Sequence, residues 1–495
     1  RQGGESNKGR AVAVAGPAAA FNARFKALFG DFKPLGLEPS PELLAISMVY
    51  FVQGILGLSR LALSFFYKDD LNMDPASATA LMGLATLPWM VKPLYGFISD
   101  SVPLLGYRRR SYLAACGLLG ASAWTMLATA VTTPQAAVGA MLCASLSTAF
   151  SDVVVDSIVV ARARGAPQAT AGSLQSLCWG SQSLGGITSA YFSGSLVEDF
   201  GVRFVFGVTA LFPLIVSCSA LLIDEPKVEP PQLAAASSGP RSSSSGGAAS
   251  EVARSAKVLG QRLARQGQGM WSAIKQERIL YPAVFVFLWQ ATPSCDVALF
   301  YFQTNELGFQ PEFLGKVRLA GCLASLAGVV LYNTQLKRVP LKKMLTWVLL
   351  LGAALGSTTL ILVTGLNRKL GISDQFFVLG DSVMLTALGQ ISFMPILVLA
   401  ARVCPEGVEA TLFATLMSLF NGGGILGGGL GAALTAAVGV TSENFDNLEL
   451  LVTLCVLLGL LPLALLRLLP PELDRDPEDL DVSSDANNGE PGGKR

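Results

Sequence analysis

The chain has 495 residues, 51% of them hydrophobic and only 14% charged, where a soluble domain carries about 25% charged residues. So few charges cannot keep so much apolar surface in water, and with a mean hydropathy of +0.51 the chain reads as an integral membrane protein. It contains no histidine, which excludes any mechanism built on a histidine base, ligand or proton relay.

The first 42 residues form a tail rich in Ala, Gly, Arg and Lys, read either as the remnant of an organellar transit peptide or as a cytosolic tail. Apolar stretches of about 20 residues, the length that spans a bilayer, then follow at 43–67, 75–98, 111–131, 135–161, 169–196 and 203–223. A polar segment, 224–278, comes next. Its centre, AAASSGPRSSSSGGAAS, is too poor in bulky apolar groups to fold and reads as a flexible linker. Its basic end reads either as an amphipathic helix on an anionic membrane surface or as solvated chain. A second set of six stretches covers 279–302, 311–333, 344–366, 376–401, 408–438 and 447–469, and 470–495 is an acidic tail without folding signals. The eight cysteines are scattered through the apolar segments with no metal-binding spacing and read as small core residues.

Arginine and lysine concentrate in the loops after even-numbered stretches, so both termini are expected on the cytoplasm-equivalent face. Residues 162–186 and 402–428 resemble each other: each has an Arg ending one helix, a short turn, a Thr, a Leu and a Ser, then paired glycines. The expected fold is therefore an all-α integral membrane protein with twelve transmembrane helices in two six-helix pseudo-symmetric bundles, 43–223 and 279–469.

The loop between the second and third stretches reads GFISDSVPLLGYRRR. Gly96, Asp100, Gly106 and the cluster Arg108, Arg109 and Arg110 resemble the helix 2–3 signature of the major facilitator superfamily. Asp100 can pair with Arg109, or with Arg162 or Arg164 at the end of the fourth helix, as a latch that holds one state and releases in another; the bland reading is a positive loop that sets topology. The stretches YFVQGILGLSRLALSFFYKDDL (50–71), LPWMVKPLYGFISDSVPLLGYRRRSYL (87–113) and GSLQSLCWGSQSLGGITSAYFSGSL (172–196) narrow this to a resemblance to the folate–biopterin transporter family. The resemblance is dense over helices 1 to 6 and thin over the second half. It implies a facilitator fold, carriage of folates or reduced pterins, and, through its plant and algal members, a place in the chloroplast envelope, with the plasma membrane as the alternative.

Charges inside the membrane are costly and usually face a partner or a water-filled cavity. Counted at about 1.5 Å per residue, Arg60, Asp296, Arg318 and Asp381 fall in one outer layer, while Lys92, Asp152 and Asp156 fall near the inner face, the two aspartates sharing one side of a helix. Two gates follow as an expectation: outer pairs such as Arg60 with Asp296, and an inner pair of Lys92 with Asp152 or Asp156. The alternative is that these are permanent pairs within one bundle. Between the layers lie Gln53, Trp179, Gln182, Trp289, Gln290 and Asn421, whose rings and amides suit a flat pterin, while Arg60 or Arg318 suits the carboxylates of folate. The glycine run NGGGILGGGLG (421–431) is no phosphate loop, and reads as a surface where helices approach closely. No cofactor or metal is expected, no nucleic acid, and no enzymatic step. The partners are a small-molecule substrate, the bilayer and, for symport, protons carried on one of the aspartates. The remaining alternatives are carriage of another organic anion and a membrane sensor without transport.

Overall fold

Ser40 and Pro41 show how the helices begin. The Ser40 hydroxyl accepts the Leu43 N–H at 3.1 Å and Pro41 fills a first-turn position whose N–H would have no partner. Pro75, Pro134 and Pro311 open later helices in the same way. The computed structural model describes residues 37–163, 168–227, 275–336, 339–403 and 409–469. The N-terminal tail up to residue 36, most of the 224–278 linker, Arg164 and the acidic tail lie outside them.

The described chain is helical: α1 (Pro41–Ile55), α2 (Leu58–Phe65), α3 (Pro75–Ala85), α4 (Lys92–Ser101), α5 (Arg110–Thr129), α6 (Pro134–Ala163) and α7 (Gln168–Ser219), then α8 (Glu277–Gln290), α9 (Asp296–Tyr301), α10 (Pro311–Thr334), α11 (Leu341–Val363), α12 (Leu366–Lys369), α13 (Asp374–Val403), α14 (Glu409–Val438), α15 (Leu448–Gly459) and α16 (Leu461–Leu465). Eight helical runs among the described residues are long and apolar enough to cross a membrane, against the twelve expected. The differences have local causes. Stretches 169–196 and 203–223 fuse into α7, whose two arms turn on Gly201 at φ 79°. Stretch 75–98 is cut by Pro88 and Pro93, which lack the N–H that would continue the helix, so a 3₁₀ turn (Leu87–Val91) joins α3 to α4. Stretch 279–302 is broken around Pro293, between α8 and α9. In α14 seven glycines and Asn421 dilute the apolar character.

The halves repeat each other locally. α2 and α9 both end in a five-residue π-helix, Phe66–Asp70 and Phe302–Glu306, and both are followed by a helix opening on proline, Pro75 and Pro311. The step from Phe66 to Phe302 is the step from Pro75 to Pro311, and it also carries Arg60 onto Asp296.

In the first half α1 and α2 pack on α7, α5 on α6 and α7, and α4 on α6. In the second, α8 packs on α14, α10 on α13, and α11 on α13 and α15. The halves meet along two seams, α7 against α10 and α3–α4 against α14. Several contacts are backbone on backbone. A Cβ on Gly315 would lie 2.7 Å from Gly194, and Cβ atoms on Gly423, Gly427 and Gly431 would lie 2.5, 2.6 and 2.3 Å from the carbonyl oxygens of Phe287, Gln290 and Ser294. The glycine run is thus a close-approach face for α8, as the sequence reading expects.

The apolar core is one cluster at the face where α2 ends and α3 begins, joining both halves through Phe65, Phe66, Tyr301, Phe302, Leu314 and Val440. Towards the opposite face it splits into a first-half cluster around Ile46, Leu113 and Ile158 and separate second-half clusters around Phe285 and Leu345, and Tyr332 and Val348. The molecule is closed at one face and divided towards the other.

Candidate functional site

The closed face is tied by polar contacts between halves. The Lys68 ammonium donates to Asn305 at 2.7 Å, the Tyr301 hydroxyl to the Met73 carbonyl at 2.6 Å, and the Glu312 N–H to the Glu198 carboxylate at 2.8 Å. Asp74 accepts from the Ser442 hydroxyl at 3.1 Å. Deeper in, the Asn421 amide donates to the Trp89 carbonyl at 3.3 Å, across the α14 seam.

Away from the seal, a charged cluster is built on α1, α4 and α6. The Lys92 ammonium, at the start of α4, donates to Asp152, and its side chain and that of Asp152 are 19% and 11% exposed. Gln53 donates its amide to the other Asp152 oxygen at 2.9 Å, and the Tyr50 hydroxyl donates to Asp156. Lys92 also lies over the Trp89 ring, 4.6 Å from its centroid. Two carboxylates one helical turn apart thus share one ammonium. Asp156 is exposed yet surrounded by protein, as a residue lining an internal chamber is.

Arg318 of α10 reaches over the first half at the α1–α2 break. Gly57 makes the room, since a Cβ there would lie 2.7 Å from Arg318 Nη2 and 2.7 Å from Ser189 Oγ. Arg318 Nη1 is buried without a hydrogen-bond partner, and Arg60 lies within electrostatic reach of it. Among the described residues neither guanidinium has an acidic partner. Two guanidiniums set near each other across the halves have the charge and the donors to hold a carboxylate.

Within the second half a cavity of about 480 Å³ is walled by α8, α9, α11, α13, α14 and α15. Trp289, Gln290, Asp296, Thr359, Phe393 and Phe420 line it, and among the described residues no lysine or arginine does. Asp296 is exposed into this space with the Ser294 hydroxyl beside it.

The structure joins Lys92 to Asp152 and puts Gln53 and Asp156 in the same cluster, and it places Trp289 and Gln290 together in the cavity. It does not join the outer charges as expected. With the Lys68–Asn305 face closed, Arg60 and Asp296 are unpaired with each other. Asp381 instead accepts from the hydroxyls of Thr358 and Thr359 at 2.5 and 3.4 Å. The seal consists of Lys68, Asn305, Tyr301 and Asp74, at the helix ends, rather than ion pairs at depth. Trp179 is 52% exposed, and Gln182 approaches the first helix through its backbone carbonyl against Gly54.

The expected inner latch also differs. Asp100 is exposed and has no ion-pair partner among the described residues. The basic turn is held instead by Glu225, whose carboxylate accepts the backbone N–H groups of Arg108, Arg109 and Arg110 at 2.8 to 3.2 Å, capping α5. Arg162 pairs with Glu42 at 3.0 Å, Arg110 stacks over Tyr107, and Gly106 turns at φ 84° beside Lys227. Gly96 packs against Val153. Arg164, the other expected partner of Asp100, lies outside the described residues. Sequence reading passed over Tyr50, Trp89, Glu225 and Tyr301. Only Tyr50 carried a usable signal, a hydroxyl one helical turn from Gln53.

Comparison with known proteins places this architecture. The BT1 family model matches residues 53–490. The chain is 48% identical over 461 residues to the folate-biopterin transporter of Synechocystis sp., covering 93% of this chain and 87% of that one. It is 29% identical to probable folate-biopterin transporter 4 of Arabidopsis thaliana, covering 86% and 95%, and 28% identical to folate transporter 2 of Plasmodium falciparum, covering 87% and 88%. Among solved structures it shares its fold with the nucleoside transporter NupG (TM-score 0.62, 16% identity, covering 86% of this chain and 98% of that one) and with a D-xylose-proton symporter (TM-score 0.59, 14% identity, covering 87% and 98%).

Proposed function

Because this chain belongs to the BT1 family, we propose that it is a secondary transporter that carries folates and pterins across its membrane by alternating access between two six-helix bundles. The observation that carries the reading is the Arg60–Arg318 pair, contributed by the two halves and without acidic partners among the described residues. Folate brings glutamyl carboxylates that such a pair holds in bidentate fashion, and binding there draws α2 and α10 together. The interrupted passages α3–α4 and α8–α9, the two arms of α7, and α14 complete twelve crossings. Breaks in helices at membrane depth are tolerated where they line a cavity; Trp89 sets the first break beside Lys92, and Thr292, Ser294 and Cys295 set the second in the wall of the second-half cavity.

Asp152 and Asp156 face a single ammonium, so one proton balances the cluster. Loading that proton, with Lys92 released or held, is the coupling step of a proton symport. The membrane we propose is the chloroplast envelope, with the plasma membrane as the alternative, and imaging of a fluorescent fusion beside an envelope marker tests it.

The test of function is uptake of labelled folate and labelled biopterin into proteoliposomes, with and without a pH gradient. Saturable uptake of either is expected, stimulated by an inward proton gradient and lost in Asp156→Asn only in its gradient-dependent part. Well-folded protein that takes up neither would overturn the reading.

A further inference from the structure

At equivalent positions of the repeat the first half presents Arg60 and the second half Asp296, and Arg318 adds a second cation on the arginine side. Among the described residues no basic side chain lines the cavity around Asp296, so within it this carboxylate has the Ser294 hydroxyl but no cation beside it. The same cavity has three aromatic walls, Trp289, Phe393 and Phe420, the last two with ring centroids 5.4 Å apart, and amide and hydroxyl groups at Gln290, Thr359 and Ser392. Its volume of about 480 Å³ falls in the range of about 300–1,000 Å³ usual for small-molecule sites.

We propose that Asp296 reads the amino-pyrimidinone edge of the pterin, in the second-half cavity, while Arg60 and Arg318 take the glutamyl carboxylates, so that substrate is bound in one fixed orientation. This rests on the function proposed above. The pterin edge offers an adjacent ring N–H and exocyclic NH₂, two parallel donors that a carboxylate accepts together as it accepts an arginine fork. The flat ring between Trp289 and Phe393 gains stacking contact. The opposite orientation would set glutamyl carboxylates against Asp296, with no cation to offset the repulsion, and would leave two guanidiniums facing neutral ring atoms.

The orientation predicts a crossed pattern in direct binding, measured by calorimetry on purified protein with folate, biopterin, which lacks the glutamyl tail, and p-aminobenzoylglutamate, which lacks the pterin. Asp296→Asn weakens folate and biopterin by roughly 10- to 100-fold, the loss expected for a charge-assisted hydrogen-bonded pair, and leaves p-aminobenzoylglutamate unchanged. Arg60→Gln and Arg318→Gln weaken folate and p-aminobenzoylglutamate and leave biopterin unchanged. Asp296→Glu, which keeps the carboxylate, recovers part of the pterin affinity and separates lost recognition from lost folding. Equal weakening of all three ligands by Asp296→Asn, or of none, would overturn the orientation while wild-type binding still supports the transporter. If Asp296→Asn alters only the response to a pH gradient, Asp296 is a proton site and the proposal falls. Wild-type protein that binds neither folate nor biopterin removes the function reading and this one together.

Discussion

The Lys92–Asp152 pair is the best place to test whether the charged cluster is a bonded unit. Asp152→Ala removes the acceptor of the Lys92 ammonium and of the Gln53 amide. Both side chains are largely sequestered, at 19% and 11% exposure, so the stranded ammonium cannot recover full hydration. Breaking a buried pair from one side costs about 3–5 kcal/mol. Asp156, one turn along α6, takes up part of the ammonium's charge, which puts the expected loss near the lower end, about 3 kcal/mol. Lys92→Met strands Asp152, which retains the Gln53 donor, and costs a similar amount. The double variant Lys92→Met with Asp152→Leu leaves neither charge and should lose far less than the sum. Reversible unfolding of the four proteins in mixed micelles gives the coupling as a double-mutant cycle, expected at about 2–3 kcal/mol. A coupling under about 0.5 kcal/mol would show that the two groups titrate and solvate independently, and would refute the bonded cluster. Folate uptake by the stable double variant then separates structural from transport roles, and loss is expected.

Three further outcomes are expected. Gly427→Val drives a side chain into the Gln290 and Thr292 carbonyls and should abolish folded yield, whereas Gly428→Val, which meets nothing within 4 Å, should leave expression and thermal stability near wild type. Glu225→Ala uncovers three N–H groups at the start of α5 and should cost about 1–2 kcal/mol in the same unfolding assay, while Asp100→Ala, with no pair to lose, should stay within about 0.5 kcal/mol. Tyr301→Phe deletes one hydrogen bond of the outer seal, worth about 1 kcal/mol. It should raise the open-outward population about fivefold in spin-label distance distributions between positions 69 and 306; an unchanged distribution would show that this bond does not hold the seal.

Much of the fold was legible because bilayer thickness converts directly into residue count, and because an ionisable residue inside an apolar run demands a partner. That demand pointed to Lys92 and Asp152, which the structure joins. The Arg60–Asp296 pairing failed for a specific reason: counting along a helix gives depth and not direction, and two residues at one depth can line different walls. The helix breaks at Pro88, Pro93 and Pro293 were visible as residues, but apolar composition on both sides hid them within single spans. Glu225 was hidden because it binds backbone N–H groups, which carry no mark in the sequence. Gly57 acquires its role only because Arg318, 261 positions later, needs the space that its missing side chain leaves.

The glycine contact between α7 and α10 sets the mechanics of the whole molecule. Where Gly194 meets Gly315 the closest approach is main chain on main chain, with the small Ser193 hydroxyl as the nearest side chain, so little has to disengage as one half tilts against the other. Such a point behaves as a fulcrum: it turns while hardly travelling, and displacement grows with distance from it. It lies near the closed face, because Gly315 begins the second turn of α10 and Gly194 is four residues from the seal residue Glu198. A small parting at Lys68 and Asn305 is therefore geared to a much larger excursion at the divided face, where the basic turn held by Glu225 sits.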